Sequence, residues 1–223
     1  MEAGNMVEYK LKNENLRLLR LELGEIGTNC YLLAAAAAEE TVVNDPAGDF
    51  PILWQAVKGL GYPVKYILNT HGHWDHIGAN AELQQKTGAP LMIHAADAPL
   101  LQQGTDRMFR VRYQPSRADR TLSDGDELPF GAYKLRVLHT PGHTPGGVCF
   151  VLSGKAGNEL IFSGDTLFQL SIGRTDLPGG SYDDLIHSIR TKLLPLDEKL
   201  PVFPGHGPHT FLADEKQYNP FLR

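Results

Sequence analysis

Apolar and charged residues alternate from Leu16 to Leu23, with Leu16, Leu18 and Leu21 set among Arg17, Arg20 and Glu22. A period of two predicts a strand. Residues 29–33 and 41–44 read as two further strands, and the alanine run at 34–38 as the end of one strand plus a turn. Asp45-Pro46-Ala47-Gly48 has turn chemistry. From Phe50 to Leu60 the apolar positions Ile52, Leu53, Val57 and Leu60 take helical spacing, and Gly61 stops the helix. Residues 64–69 form a short apolar strand that delivers Thr70 and a histidine cluster at its end. A helix is expected at 78–87, starting within that cluster, then a strand at 90–94 and a helix at 95–103. Residues 104–120 break into an irregular stretch. A second group of strands follows at 126–130, 133–139, 148–153 and 160–162. An amphipathic helix at 181–194, a last strand at 201–203 and a short helix at 213–218 close the chain.

Half the strands precede residue 95 and half follow residue 125, each group with its own helices. The pattern predicts two packed sheets with helices outside, in one domain over residues 1–223. The 223 residues suffice for a substantial core, and 42% hydrophobic with 21% charged residues describes an ordinary globular chain. A formal charge of −5 gives no general attraction to polyphosphate, so no nucleic-acid partner is expected. No apolar stretch approaches the roughly 20 residues that span a bilayer. Glu2, Glu8, Lys10, Lys12 and Glu14 leave no apolar core for a secretory signal. No membrane partner is expected, and the cytoplasm is the expected location. Cys30 and Cys149 sit among apolar neighbours without metal-ligand spacing and read as two reduced core thiols.

The chemistry gathers in four Gly- or Pro-rich turns: His71-Gly72-His73-Trp74-Asp75-His76, Pro141-Gly142-His143-Thr144-Pro145, Ser163-Gly164-Asp165-Thr166 and Pro204-Gly205-His206-Gly207-Pro208. Imidazole and carboxylate are ligands for zinc, iron or manganese, and no thiolate is required. His71, His73, Asp75, His76, His143, Asp165 and His206 are too many donors for one tetrahedral zinc, which takes four. They suit two divalent ions sharing a bridging carboxylate and a bridging solvent oxygen. In the first turn, His71 and His73 can reach one ion while Asp75 and His76 turn toward a second. Asp165, following a strand and Gly164, is placed to bridge. A lone histidine is more often structural than a ligand, but four such turns in order favour the metal reading.

These residues, in this order, resemble the metallo-β-lactamase superfamily over most of the chain. The resemblance implies an α/β (α+β) fold of the αβ/βα four-layer sandwich type, with two mixed sheets and helices outside. It implies His71, His73 and His143 on the first ion, Asp75, His76 and His206 on the second, and Asp165 bridging. Asp45 matches the family's Asp-Pro-Gly turn beneath the metals and would orient a ligand from behind. Zinc is the first choice of metal, with iron or manganese fitting the same donors.

Thr70 to His76 and Gly164-Asp165-Thr166-Leu167-Phe168 are similar to glyoxalase II, the hydroxyacylglutathione hydrolases. Gly173 to Gly180, with the turn around His206 and the tail Asn219 to Leu222, looks like the short bacterial subgroup. That resemblance implies hydrolysis of a small-molecule thioester of the S-lactoylglutathione type by a metal-bound hydroxide, with glutathione as the candidate thiol. Asp165, as the bridging ligand, and Asp75, which would orient or deprotonate the nucleophile, carry the catalytic roles. Arg174 stands where the long enzymes place a lysine for the glutathione carboxylate, Asp176 replaces a tyrosine, and Gly207-Pro208 replaces Glu-Tyr. The alternative is a mononuclear-iron persulfide dioxygenase using His71, His143 and Asp165. A lactonase and a metal-binding scaffold without turnover rank below both.

Arg107, Arg110, Arg112, Arg117 and Arg120 crowd the irregular stretch, interleaved with Phe109 and Tyr113. Arg110 and Arg112, with Arg174, are candidate contacts for substrate carboxylates. A solvated loop or a subunit contact is the plainer reading of that stretch. His94, His139, His187 and His209 fall outside the ligand set.

Overall fold

The strand expected at Leu16–Leu23 is found with those bounds in the computed structural model, which describes residues 6–11, 15–155 and 157–223. Glu2, Lys12 and Glu14 of the N-terminal reading lie outside the described residues. The chain divides into two compact units. One takes the described residues up to Ile93 together with Ala98–Thr121, the other His94–Asp97 and Leu122–Arg223.

The first unit is built on a mixed sheet. Its strands are β1 (Met6–Tyr9), β2 (Leu16–Leu23), β3 (Thr28–Ala35), β4 (Glu40–Asn44), β5 (Val64–Leu68), β6 (Leu91–His94) and β9 (Arg120–Leu122), adjacent in that order. The first four pair antiparallel, and β4, β5 and β6 run parallel. Helix α1 (Phe50–Leu60) supplies Leu53, Val57 and Leu60 to a core with Leu32, Val43, Ile67 and Leu91. Burial of each such side chain is worth roughly 1.5–3 kcal/mol. A proline in its first turn and a left-handed Gly61 (φ 79°) after its last residue fix the helix ends.

Three expectations in this unit change. The helix expected at 78–87 starts two residues later, as α3 (Asn80–Thr87), and a separate helical turn, α2 (Trp74–Ile77), precedes it. Gly78 between them lies so close to the Ala47 carbonyl that a Cβ would overlap it, and the Ala79 amide donates to Pro46 at 2.8 Å. The stretch expected to be irregular holds a small hairpin, β7 (Thr105–Asp106) with β8 (Val111–Arg112). Asp106 Oδ1 accepts the amides of Met108 and Phe109, both at 2.9 Å, and so closes its turn. The helix expected at 95–103 shrinks to a 3₁₀ turn over Ala98–Gln102, which contains Pro99.

The second unit carries a mixed sheet of β10 (Glu127–Phe130), β11 (Tyr133–His139), β12 (Val148–Gly154), β13 (Gly157–Gly164), β16 (Pro201–Pro204) and β17 (Thr210–Phe211), in that order. Only the β13–β16 pair is parallel. Two short strands, β14 (Leu167–Phe168) and β15 (Ser171–Ile172), pair separately. Helix α4 (Tyr182–Ser188) begins at Ser181, whose side chain accepts the Asp184 amide, and continues as π-helical turns through Leu193. Leu185, Ile189 and Leu193 share a core with Val151, Ile161 and Val202, and α5 (Leu212–Tyr218) adds Leu212. The chain thus has the expected α/β class, two large mixed sheets with few helices. Cys30 and Cys149 are buried free thiols, as expected. No helix among the described residues is long and apolar enough to cross a membrane.

Candidate functional site

In the first unit the histidine cluster follows β5, where the chain passes from extended backbone into a single helical turn. His71 and His73 lie on the lead-in to that turn, with His73 extended (φ −67°, ψ 146°) directly before α2. Asp75 and His76 lie on the turn itself, which explains how six consecutive residues aim donors in two directions. The His71 ring sits 4.8 Å from that of His73 and 4.0 Å from that of His76. His76 Nε2 lies 3.3 Å from Asp75 Oδ2, which also accepts Thr28 Oγ1 at 2.8 Å.

Behind this cluster Asp45 acts as a clamp. It is fully buried, and its backbone is held in the left-handed region at φ 51°. Its Oδ1 accepts the Thr70 amide and its Oδ2 the Thr70 hydroxyl, both at 2.7 Å, while Oδ2 also meets His76 Nδ1 at 3.1 Å. The Thr70 hydroxyl lies 3.1 Å from His71 Nδ1. Strain at a non-glycine residue of this kind persists where surrounding contacts over-determine it. Asn69 and Asn80 bond each other through both side-chain amides, at 2.8 and 3.3 Å, and Asn69 also donates to the His76 carbonyl.

In the second unit His143, Asp165 and His206 converge. Asp165 Oδ2 lies 3.5 Å from His143 Nε2 and 3.6 Å from His206 Nε2. Asp165 follows β13, and a Cβ on Gly173 would overlap its carbonyl oxygen, so only glycine fits there. His143 is buried, its Nδ1 lying 2.7 Å from the Arg174 carbonyl. The turn carrying it is tied just after the histidine: Thr144 Oγ1 and the Gly146 amide donate to the two oxygens of buried Asp97, at 2.8 and 2.7 Å. The His206 turn is anchored by the Gly205 amide on the Gly164 carbonyl at 2.8 Å.

The donor chemistry of both clusters fits a divalent ion. For His71, His76 and His143 the Nδ1 atom faces an oxygen, so Nε2 would be the nitrogen to meet an ion, the arrangement that orients imidazole ligands in metal sites. The Nε2-to-carboxylate separations of 3.3, 3.5 and 3.6 Å exceed good hydrogen-bond lengths. They match the edge of a tetrahedron of donors about 2.1 Å from its centre, roughly 3.4 Å.

Of the candidate substrate contacts, Arg174 is already engaged. Its guanidinium grips Asp176 through two bonds of 2.7 Å, and both side chains are exposed. That pairing holds the Asp176 carboxyl down at about 2. Arg110 and Arg112 are exposed on the β7–β8 hairpin. His94 and His139 stack on each other at 4.1 Å, and burial together with His139 holds His94 below the usual imidazole range. His209 stacks on Phe203, and His187 is exposed. Sequence reasoning passed over Thr28, Thr70, Asn69, Asn80, Asp97 and Thr144. Thr70 adjoins the cluster and so carries a positional signal; Asp97 carries none.

The sequence profile of the metallo-β-lactamase superfamily matches residues 23–206. A relative from Bacillus subtilis (strain 168), named a probable metallo-hydrolase, is 39% identical over 209 residues, which are 91% of this chain and 96% of the relative. Hydroxyacylglutathione hydrolase GloC of Haemophilus influenzae (strain Rd) is 37% identical over 200 residues, 87% of this chain and 92% of that protein. Among solved structures, BLEG-1 B3 metallo-β-lactamase superposes with a TM-score of 0.84 at 38% identity, over 91% of this chain and 98% of that one. TTHA1623 in a di-iron-bound form superposes with a TM-score of 0.79 at 35% identity, over 91% of this chain and 99% of its own.

Proposed function

The chain belongs to the metallo-β-lactamase superfamily, and we propose that it is a two-metal hydrolase of thioesters of the hydroxyacylglutathione type. The observation that carries this reading is the single carboxylate oxygen, Asp165 Oδ2, facing both His143 Nε2 and His206 Nε2 as a shared ligand would. In this reading His71, His73 and His143 hold one ion, Asp75, His76 and His206 hold the other, and Asp165 serves both. We also propose that residues 1–223 form one domain, since the superfamily profile runs through both units, from residue 23 to residue 206. Similarity to the GloC hydroxyacylglutathione hydrolase supports the thioester substrate and glutathione as the thiol. The donors accept zinc, iron and manganese; zinc remains the first choice, and the di-iron-bound relative supports iron as a compatible metal.

Bound ions of this kind would polarise the acyl oxygen and make water acidic enough to ionise near neutral pH. The chain's own residues supply the rest. Asp75, whose Oδ2 is fixed by Thr28, would orient or deprotonate the attacking water. Asp45 holds His76 through Nδ1, and Thr70, itself bonded to Asp45, meets His71 the same way, so neither imidazole has to reorganise during the reaction. The thiolate leaves without a proton donor because a thiol ionises at about 8.5. The buried free thiols of Cys30 and Cys149 suit a reducing compartment, which supports a cytoplasmic location.

A mononuclear persulfide dioxygenase would use His71, His143 and Asp165 and leave His206 without a task beside Asp165. S-lactoylglutathione hydrolysis measured beside oxygen uptake with glutathione persulfide separates the two. Hydrolysis without oxygen uptake is expected; oxygen uptake alone would favour the dioxygenase, and no turnover of either substrate by metal-loaded protein would overturn both.

A further inference from the structure

The chain carries a formal charge of −5, yet the β7–β8 hairpin reverses that sign locally, with Arg107, Arg110 and Arg112 against a single acid, Asp106. The Asp106 carboxylate is spent on the turn, accepting the amides of Met108 and Phe109. All three arginines are exposed, and among the described residues none of them forms an ion pair. Arg174 differs: it stands where the family resemblance implied a carboxylate contact, but its fork is closed on Asp176.

The hairpin also has an unusual tip. Met108 is 59% and Phe109 42% exposed, two adjacent apolar side chains on one turn. The Phe109 ring lies 6.2 Å from that of Trp74, which stands between His73 and Asp75 in the chain. The tip therefore packs beside a side chain of the same turn that carries His73 and Asp75. Its base is fixed, since the Tyr113 hydroxyl donates to the Leu100 carbonyl at 2.8 Å and the Tyr113 amide to Gly104 at 3.2 Å.

We propose that this hairpin is the element that selects the thiol half of the substrate, its arginines receiving the carboxylates of a peptide-type thiol while Phe109 and Trp74 flank the apolar stem beside the thioester sulfur. The assignment rests on the thioester reading above and deepens it, moving recognition of the anionic carrier from Arg174 to Arg107, Arg110 and Arg112. Guanidinium forks match carboxylates in pairs of charge-assisted bonds. An anionic carrier is therefore held more tightly than a neutral one, and salt weakens the difference.

The test is equilibrium binding to metal-loaded protein of thioethers that cannot be hydrolysed: S-methylglutathione, S-methyl-coenzyme A and the uncharged N-acetyl-S-methylcysteamine. S-methylglutathione is expected to bind about tenfold or more tightly than the uncharged probe. R107A/R110A/R112A is expected to erase that preference while leaving the uncharged probe's Kd unchanged. Because these side chains are exposed, circular dichroism and metal content of the variant are expected to match wild type. Equal binding of charged and uncharged probes, or a preference that survives the triple substitution, would overturn the proposal. Tighter binding of the coenzyme A probe would overturn the carboxylate assignment in favour of phosphate. Charge-selective binding without S-lactoylglutathione turnover would overturn the thioester reading and leave the hairpin's role standing.

Discussion

Thr144 donates its hydroxyl to Asp97 Oδ2 at 2.8 Å across 47 residues of chain, and the Gly146 amide takes the other oxygen. The turn that presents His143 is thus gripped by a short segment, His94–Asp97, that packs with the second unit although its sequence neighbours on both sides belong to the first. Asp97→Ala leaves both buried donors without their acceptor, at a cost of about 1–3 kcal/mol each. The expected result is a lowered Tm and a metal affinity reduced about tenfold to a hundredfold, measured by competition with a chelator. Wild-type metal affinity in Asp97→Ala would show that the grip does not position His143.

Asp45→Ala removes the acceptor shared by Thr70 and His76. Metal affinity is expected to fall about tenfold to a hundredfold. Asp45→Asn keeps an acceptor for the Thr70 amide but only one carbonyl oxygen, so an intermediate loss is expected. Titration of each variant with metal in the presence of a chromophoric chelator orders the three proteins.

Much of this was legible in the chain, and the reasons differ by element. Leu16–Leu23 shows its strand because leucines and charges alternate, and Phe50–Leu60 its helix because Gly61 stops a clear apolar spacing. The donor residues stand out because five histidines and two aspartates fall together in four Gly- or Pro-rich turns. Asp97, Thr28 and Asn80 do not stand out, since short polar residues take their meaning from partners far along the chain. The start of α3 beyond Gly78 was hidden because Gly78 answers to the Ala47 carbonyl and not to local propensity. The strands of the β7–β8 hairpin have two residues each, too few to show a period.

Burial holds the Cys149 thiol up at about 11, and burial with the charge of Asp45 raises Cys30 further from reactivity. Neither thiol is expected to react with a disulfide reagent in the native protein, and both are expected to react after denaturation. Because the folded thiol pKa lies above the unfolded value of about 8.5, its contribution to stability is complete below that pH. It is lost as pH rises through about 11, so Cys149→Ala is expected to flatten the decline of stability between those values. An equally steep decline in the variant would assign the alkaline loss to other groups.

The Arg174–Asp176 fork is exposed on both sides. With its guanidinium already engaged, Arg174→Ala is expected to change KM for S-lactoylglutathione by less than about threefold. Asp176→Asn opens the fork and is expected to lower that KM. A large rise in KM for Arg174→Ala would return carboxylate recognition to this residue.

The most direct measurement is the rate of S-lactoylglutathione hydrolysis as zinc is titrated into metal-free protein. Two ions held by His71, His73, Asp75, His76, His143, Asp165 and His206 require the rate to saturate at two equivalents per chain. Saturation at one equivalent, or full loading with no hydrolysis, would contradict the two-metal thioester hydrolase.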